Sequence, residues 1–527
     1  MAVMAVACLA VWGADWPSQG GNPQRDGWAK YERAFTKDNV GGLELLYTYQ
    51  ADNQAKGLNA LTAPLVNGLL ITYRGFKEML VFGGSSDTVY SVDADLNRLI
   101  WKAQLPVKTP APKEDKPGAC SGGLTAALAM PGSSTASGRG GGFRRVPVPV
   151  APAGAAAPKP VAAPRPAVPP KPGLLATGFG RPGAFLAVGS DGDLHVLNTS
   201  TGEDRVPAIP FLPAGANVSS LNISDDTVYA ATSDNCGGSP NGVYAADLSS
   251  ETPKIASFAM NGAGPAGPLG TAIGKDGTVY VQIPSGQGEL AGEYNDTVVA
   301  LSSRTLEAKD YFTPASKQKP SGDGATPMVF DWKEKELLLA AGGDGSLYLL
   351  DATALGGTDH HQALSETAPI GKGFRGGFAS WEDTATRKRW VYASLGGAPL
   401  ASAKFPAENG KAAHGSIVAF TVEEQDGHPT LVPAWISRDI AAPGPAVVAN
   451  GLVFALATGD SKKNSHAILY ALDGATGKEL YSSQSLVRSF SHNGGLAIAN
   501  RRIYFTTHDN AVYCFGFFAD QLQLTGK

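Results

Sequence analysis

A repeat constrains this chain more than any other feature. A polar turn, a short β-branched or aromatic strand and then Asp or Asn recur along its length. The copies are DTVYSVD ending at Asp93, GDLHVLNTSTGED from Gly192, NGVYAADL from Asn241 and NDTVVALS from Asn295. They continue with GSLYLLD ending at Asp351, GSIVAF from Gly415, AILYALDGATGKELY from Ala467 and NAVYCF from Asn510. A second strand-like run precedes each copy, such as EMLVFGG before the first and RIYFTTHD before the last. Period-2 alternation bounded by Gly and Asp turns is a strand signal. Units of roughly 45–50 residues are of blade length. Each unit reads as strands A and B, a loop, then C and D. The expectation is an all-β chain, an eight-bladed β-propeller of four-stranded antiparallel blades. Radial sheets of this kind keep their edges short and protected.

Ring closure follows from the same count. The last unit lacks a clear fourth strand after Phe515, while LELLYTYQ (43–50) is spare. We expect that run to pair with the last unit near Val512.

Composition agrees with a propeller. Gly and Pro make up about a fifth of the chain, and only 17% of residues are charged. Long helices with charged outer faces are therefore not expected to dominate. The net charge of -4 gives no basic footprint for nucleic acid. The apolar start (1–14) is too short to cross a bilayer, which takes about 20 residues. It reads as a secretory signal segment, so the chain is expected to be exported, periplasmic or extracellular. Whether Cys8 is cleaved away or lipid-anchored stays open. Residues 15–527 are expected to form a single propeller and a monomer. Residues 131–172, rich in Pro, Ala and Gly, are expected to be a disordered insertion in the second blade.

Topology sorts the loops by face. Strands alternate direction, so the D-to-A and B-to-C loops emerge together around one end of the axis. Asn235, Asp323, Arg375, His414, His466 and His492 fall in those loops. They are the candidates for a funnel that takes a small molecule or a protein partner. The pair His360–His361 falls in a C-to-D connection, on the side away from the funnel. Cys120 and Cys236 fall in funnel-face loops of adjacent units, so a bridge is one reading and two free thiols the other. A disulfide needs Cα atoms within about 7 Å. The mixed charges of RDGWAKYERAFTKD read as a solvated segment.

DWPSQGGNPQRDGW (15–28), TKDNVGGLELLYTY (36–49) and ALDGATGKELY (471–481) carry a family resemblance. On these runs the chain resembles the PQQ-like, quinoprotein alcohol dehydrogenase-like propellers. The third looks like the blade signature A-x-D-x-x-TG-x-x-x-W, with Tyr481 for the tryptophan; Trp101 keeps it in the first unit. The likeness extends to uncharacterised exported bacterial members, which share the CGGSPNGVY type of loop. Catalytic members hold PQQ with a calcium ion and use an Asp as base, and Asp323 matches that Asp by position. The Glu, Asn and cationic residues such members use are not matched, nor is their adjacent-cysteine disulfide. The resemblance therefore implies an incomplete catalytic set and a binding or scaffold role without a cofactor. The alternative is a PQQ-dependent alcohol or sugar dehydrogenase, an oxidoreductase with a non-standard site. No cytochrome motif is present, so a redox role would need a separate acceptor.

Overall fold

The computed structural model describes residues 14–72, 75–108, 120–131, 173–175, 183–238, 240–260, 264–284, 296–315, 324–463, 465–492 and 494–518. Most of the expected signal segment and of the 131–172 insertion lie outside them, as does Asp323.

The strands pair with their sequence neighbours in successive, mostly antiparallel sheets arranged as a propeller. We refer to the sheets by residue span: 65–104, 184–210, 217–259, 272–312, 328–366, 374–436, 447–482 and 497–516. Their central strands are buried on both faces, as in Thr88–Asp93, Leu452–Ala457 and Ala511–Gly516. Neighbouring sheets cover them. Tyr229, Val243, Val281 and Val299 form one apolar layer between the 217–259 and 272–312 sheets.

The expectation of eight four-stranded antiparallel blades is overturned. Among the described residues, seven sheets reach four strands or more, so seven rather than eight are complete blades. Those seven are uneven as well: five have four strands, one has five and one has six. The 184–210 stretch has the sequence rhythm of a full blade but holds three strands, the third only Ile209–Pro210. Its inner edge is a single bridge between Ala129 and Leu186. Pro207, Pro210 and Pro213 crowd its outer edge, and proline cannot donate to a ladder. The largest sheet gains parallel pairings, Gly324–Ala325 beside Arg375 and Gly376, and Ala407–Glu408 beside Trp435 and Ile436.

The ring closes as its sequence implies. Glu44–Gln50 pairs antiparallel with Ala511–Gly516, with Tyr49 opposite Val512. The blade signature also has a packing role. Trp435 donates its indole N–H to the Gly474 carbonyl at 3.0 Å, across to the next sheet. A Cβ on Gly477 would lie 2.3 Å from that ring, so the TG turn leaves the space that the tryptophan fills. Trp101 makes the same contact with Thr199 and Gly202. No helix among the described residues is long and apolar enough to cross a membrane.

The incomplete 184–210 sheet carries a charged core. His195 is buried, with Nδ1 3.0 Å from Asp204 and Nε2 3.3 Å from Asp191. Burial works against the imidazolium, but the hydrogen bond and charge of Asp204 and the charge of Asp191 outweigh it. The folded-state pKa is raised above 6.5. The stabilisation is therefore full below that ordinary value and is lost as pH rises through the raised one. Urea denaturation at pH 6 and pH 8.5 should show the wild type losing more stability over this interval than His195→Gln. Equal losses would refute a charged His195.

Candidate functional site

The N-terminal segment reaches every sheet in ring order. Ala14 donates to the Asn500 side chain, and Trp16 bridges Val66. Met130 donates to the Pro17 carbonyl beside the 184–210 sheet. Pro23 accepts from Asn222 and from the Ile273 N–H, and Gln24 from the Val329 N–H. Asp26 accepts from the Ser380 N–H, and Gly27 from the Val448 N–H. Gly27 has φ +61°, and a Cβ there would meet Ala379 and the Ala446 carbonyl at 3.0 Å. The segment is a girdle laid against the inner strands.

The girdle corrects the reading of 25–38 as solvated at Arg25 and Glu32, while Lys30, Arg33, Lys37 and Asp38 are exposed as that reading expects. Arg25 is fully buried and Glu32 is 5% exposed. Glu32 accepts from the Arg501 N–H at 2.7 Å. The Arg25 guanidinium donates to the carbonyls of Gln19, Thr271 (3.1 Å) and Leu221 (2.9 Å), and more weakly to Ser220. Burial lowers its pKa to about 9, so it remains charged at neutral pH. The adjacent Asp26 is pushed up to about 6, again by burial, against the opposing pull of Arg389 and Lys30. The signal available in sequence was weak: a charged pair inside a Gly- and Pro-rich run that needs tight turns.

A cavity of about 360 Å³ opens above this girdle. Its walls come mainly from the D-to-A loops, at Pro265, Gly267, Pro268, Gly324, Arg375, Gly376, Pro443–Pro445, Ser491, His492 and Gly494–Leu496, with Gln19 from the girdle. A side recess of about 100 Å³ shares Gln19, Pro265, Gly267 and Pro268 with it, and adds Thr125, Asn217, Ser219, Ser220 and Ser233. Among the described residues, neither lining contains Asp or Glu.

Arg375 and His492 both line the main cavity. Burial lowers the His492 pKa, and the nearby His508 and Arg375 lower it further. The other candidates stand elsewhere. Asn235 and Asn241 clasp each other's backbone N–H groups, closing the 233–242 loop. His414 is exposed and pairs with Asp439 at 2.8 Å. His466 is half-buried, with Nε2 3.2 Å from the Gln484 carbonyl. His360 stacks on Tyr311 and lies 3.1 Å from Asp310. Cys120 and Cys236 form a disulfide with Cα atoms 5.5 Å apart, and Cys514 is a buried free thiol.

Calcium takes six to eight oxygen ligands, carboxylates prominent among them. The described residues contain no cluster of three or more His, Cys, Asp or Glu able to hold a metal. The described lining supplies no carboxylate for such an ion, and Asp323, next to Gly324 of that lining, lies outside the described residues.

No protein-family model matches the chain, and no curated protein matches it. Solved structures do. The quinohemoprotein alcohol dehydrogenase of Comamonas testosteroni matches with a TM-score of 0.54 at 13% identity, over 95% of this chain and 80% of that one. A quinohemoprotein alcohol dehydrogenase of Pseudomonas putida HK5 matches with the same TM-score, identity and coverages. A europium-containing methanol dehydrogenase gives 0.55 at 12% identity, over 96% and 98%. At such identity the likeness is one of fold. The chain has a propeller fold related to that of the quinoprotein alcohol dehydrogenases.

Proposed function

We propose that this chain is an exported propeller that binds a small molecule in its axial funnel, without quinone chemistry of its own. The observation that carries the reading is the funnel itself: a formed cavity with Arg375 and His492 in its wall and no described carboxylate. The Cys120–Cys236 disulfide supports export, because such bonds persist in oxidising compartments. The fold likeness favours a second reading, a PQQ-dependent dehydrogenase of alcohols or sugars.

One experiment separates the two. The purified chain is incubated with PQQ and calcium, then assayed for dye reduction with a panel of alcohols and sugars. We expect no calcium-dependent turnover. Calcium-dependent dye reduction with a bound-quinone absorption band would overturn the binding reading in favour of the dehydrogenase.

A further inference from the structure

The funnel floor holds a buried side-chain amide whose N–H groups bond nothing among the described residues. We infer that the ligand is a small cyclic amide of about cyclic-dipeptide size, its carbonyl oxygen accepting from Gln19 Nε2 and its apolar ring lying on the prolines of the wall. This rests on the funnel being the binding site.

Gln19 is 4% exposed and lines both the cavity and the recess. Its backbone carbonyl accepts from the Arg25 guanidinium, and its side-chain Oε1 accepts from the Ser220 hydroxyl. Turning the amide over would set Nε2 against that hydroxyl and leave the hydroxyl proton without this acceptor, so the nitrogen is fixed on the other side. Nε2 has no acceptor among the described residues. Unlike the Trp16 indole nitrogen and the Ser18 hydroxyl, which are sealed in without a partner, it opens on the cavity. A glycine makes room for it: a Cβ on Gly495, in the same wall, would lie 2.7 Å from Nε2. A donor held this firmly in a shielded wall calls for an acceptor on the ligand, because an unmet one is costly.

The rest of the lining narrows the class. Pro265, Pro268, Pro443, Pro445, Leu456 and Leu496 supply apolar surface. The hydroxyls of the wall are turned inward: Thr458 donates to the Ala442 carbonyl at 2.9 Å and Ser491 to the Thr506 carbonyl at 2.8 Å. Arg375 is engaged in an interaction of its own. His492 lines the cavity, and burial, then His508 and Arg375, lower its pKa, so it is neutral at neutral pH. A neutral imidazole carries one N–H and one bare nitrogen. An amide complements both side chains: its oxygen accepts from Gln19, and its N–H donates to the bare nitrogen of His492. Closing it into a ring removes rotors that binding would otherwise freeze. At about 360 Å³ the cavity stands at the small end of ligand sites, which suits a ring of that kind.

Titration calorimetry of the full chain tests this, with cyclo(Leu-Pro), cyclohexanecarboxylate and galactose as probes. Protection of His492 from diethyl pyrocarbonate, read by peptide mass mapping against exposed His414, reports where a probe sits. We expect cyclo(Leu-Pro) to protect His492 and to bind at least tenfold more tightly than the other two. Gln19→Met, which keeps the length and loses the amide, should weaken it about tenfold, and so should Gln19→Glu, which replaces the donor with an acceptor. Gly495→Ala should do the same with Gln19 in place, by displacing its amide, and melting curves check that each variant is folded. Undiminished binding in the folded variants would overturn the inference. Cyclohexanecarboxylate or galactose binding as tightly as cyclo(Leu-Pro) would overturn the amide class, and so would a failure of all three to bind. Binding of cyclo(Leu-Pro) that leaves His492 unprotected would bring down the funnel as the site. Calcium-dependent dye reduction in the PQQ assay would instead bring down the binding reading beneath it.

Discussion

Replacing Arg25 with alanine should cost about 3–5 kcal/mol of stability, from lost packing of a fully buried side chain and from the carbonyls it leaves without a donor. The guanidinium is the common donor to three separate stretches: the girdle at Gln19, the 217–259 sheet at Leu221 and the 272–312 sheet at Thr271. Without it those carbonyls are left buried and without this donor, at about 1–3 kcal/mol for each one orphaned. Lysine is not a remedy. A single ammonium cannot reproduce the planar fork that reaches three carbonyls at once. Urea denaturation of Arg25→Ala and Arg25→Lys should therefore show both strongly destabilised, alanine more so. Loss of less than about 1 kcal/mol in the alanine variant would show that the girdle holds without its central donor.

Reducing the Cys120–Cys236 bridge should have an effect of similar size. The bridged residues are 116 positions apart in sequence. Closing a loop of that length restricts the unfolded chain by about 4–5 kcal/mol in the chain-entropy treatment, an upper figure for real proteins. The melting temperature should fall on adding reductant, and Cys120→Ala/Cys236→Ala should reproduce the fall without it. Cys514→Ser is the matched control. That thiol is buried in the last sheet, so its variant should leave the response to reductant intact. A melting temperature indifferent to reductant in the wild type would sink the prediction. The bridge also anchors the loop next to Ser233 and Asp234, which hold Asn217 at the recess. Reduction should loosen the recess before the ring melts.

The strand rhythm was legible because each repeat writes its own alternation, and Glu44–Gln50 because a spare strand needs a partner. The weakness of the 184–210 sheet was harder to see. GDLHVLN has the pattern of a blade strand, but the ladder beside it is limited by prolines whose effect depends on which edge they occupy. Arg25 shows the limit most clearly. Its residue type says charge, and charge on one run reads as solvent exposure. Its sheet partners lie 195 to 246 positions away, beyond any local signal. The site divides in the same way. Topology assigns a loop to a face, but not how far from the axis its side chains stand. Arg375 and His492 line the cavity, whereas Asn235, His414 and His466 line neither it nor the recess.

The girdle also sets a timetable. Residues 14–29 leave the ribosome before the sheets they join, and Ala14 bonds Asn500, 486 positions later. The closing strand Glu44–Gln50 must likewise wait for Ala511–Gly516. Contacts of such long sequence separation slow folding, because loop entropy is lost before they form. During synthesis the inner strands must assemble around a channel whose lining segment has no complete set of partners. The nascent chain therefore cannot reach its final state sheet by sheet; the girdle, made before the sheets it joins, is among the last parts to settle.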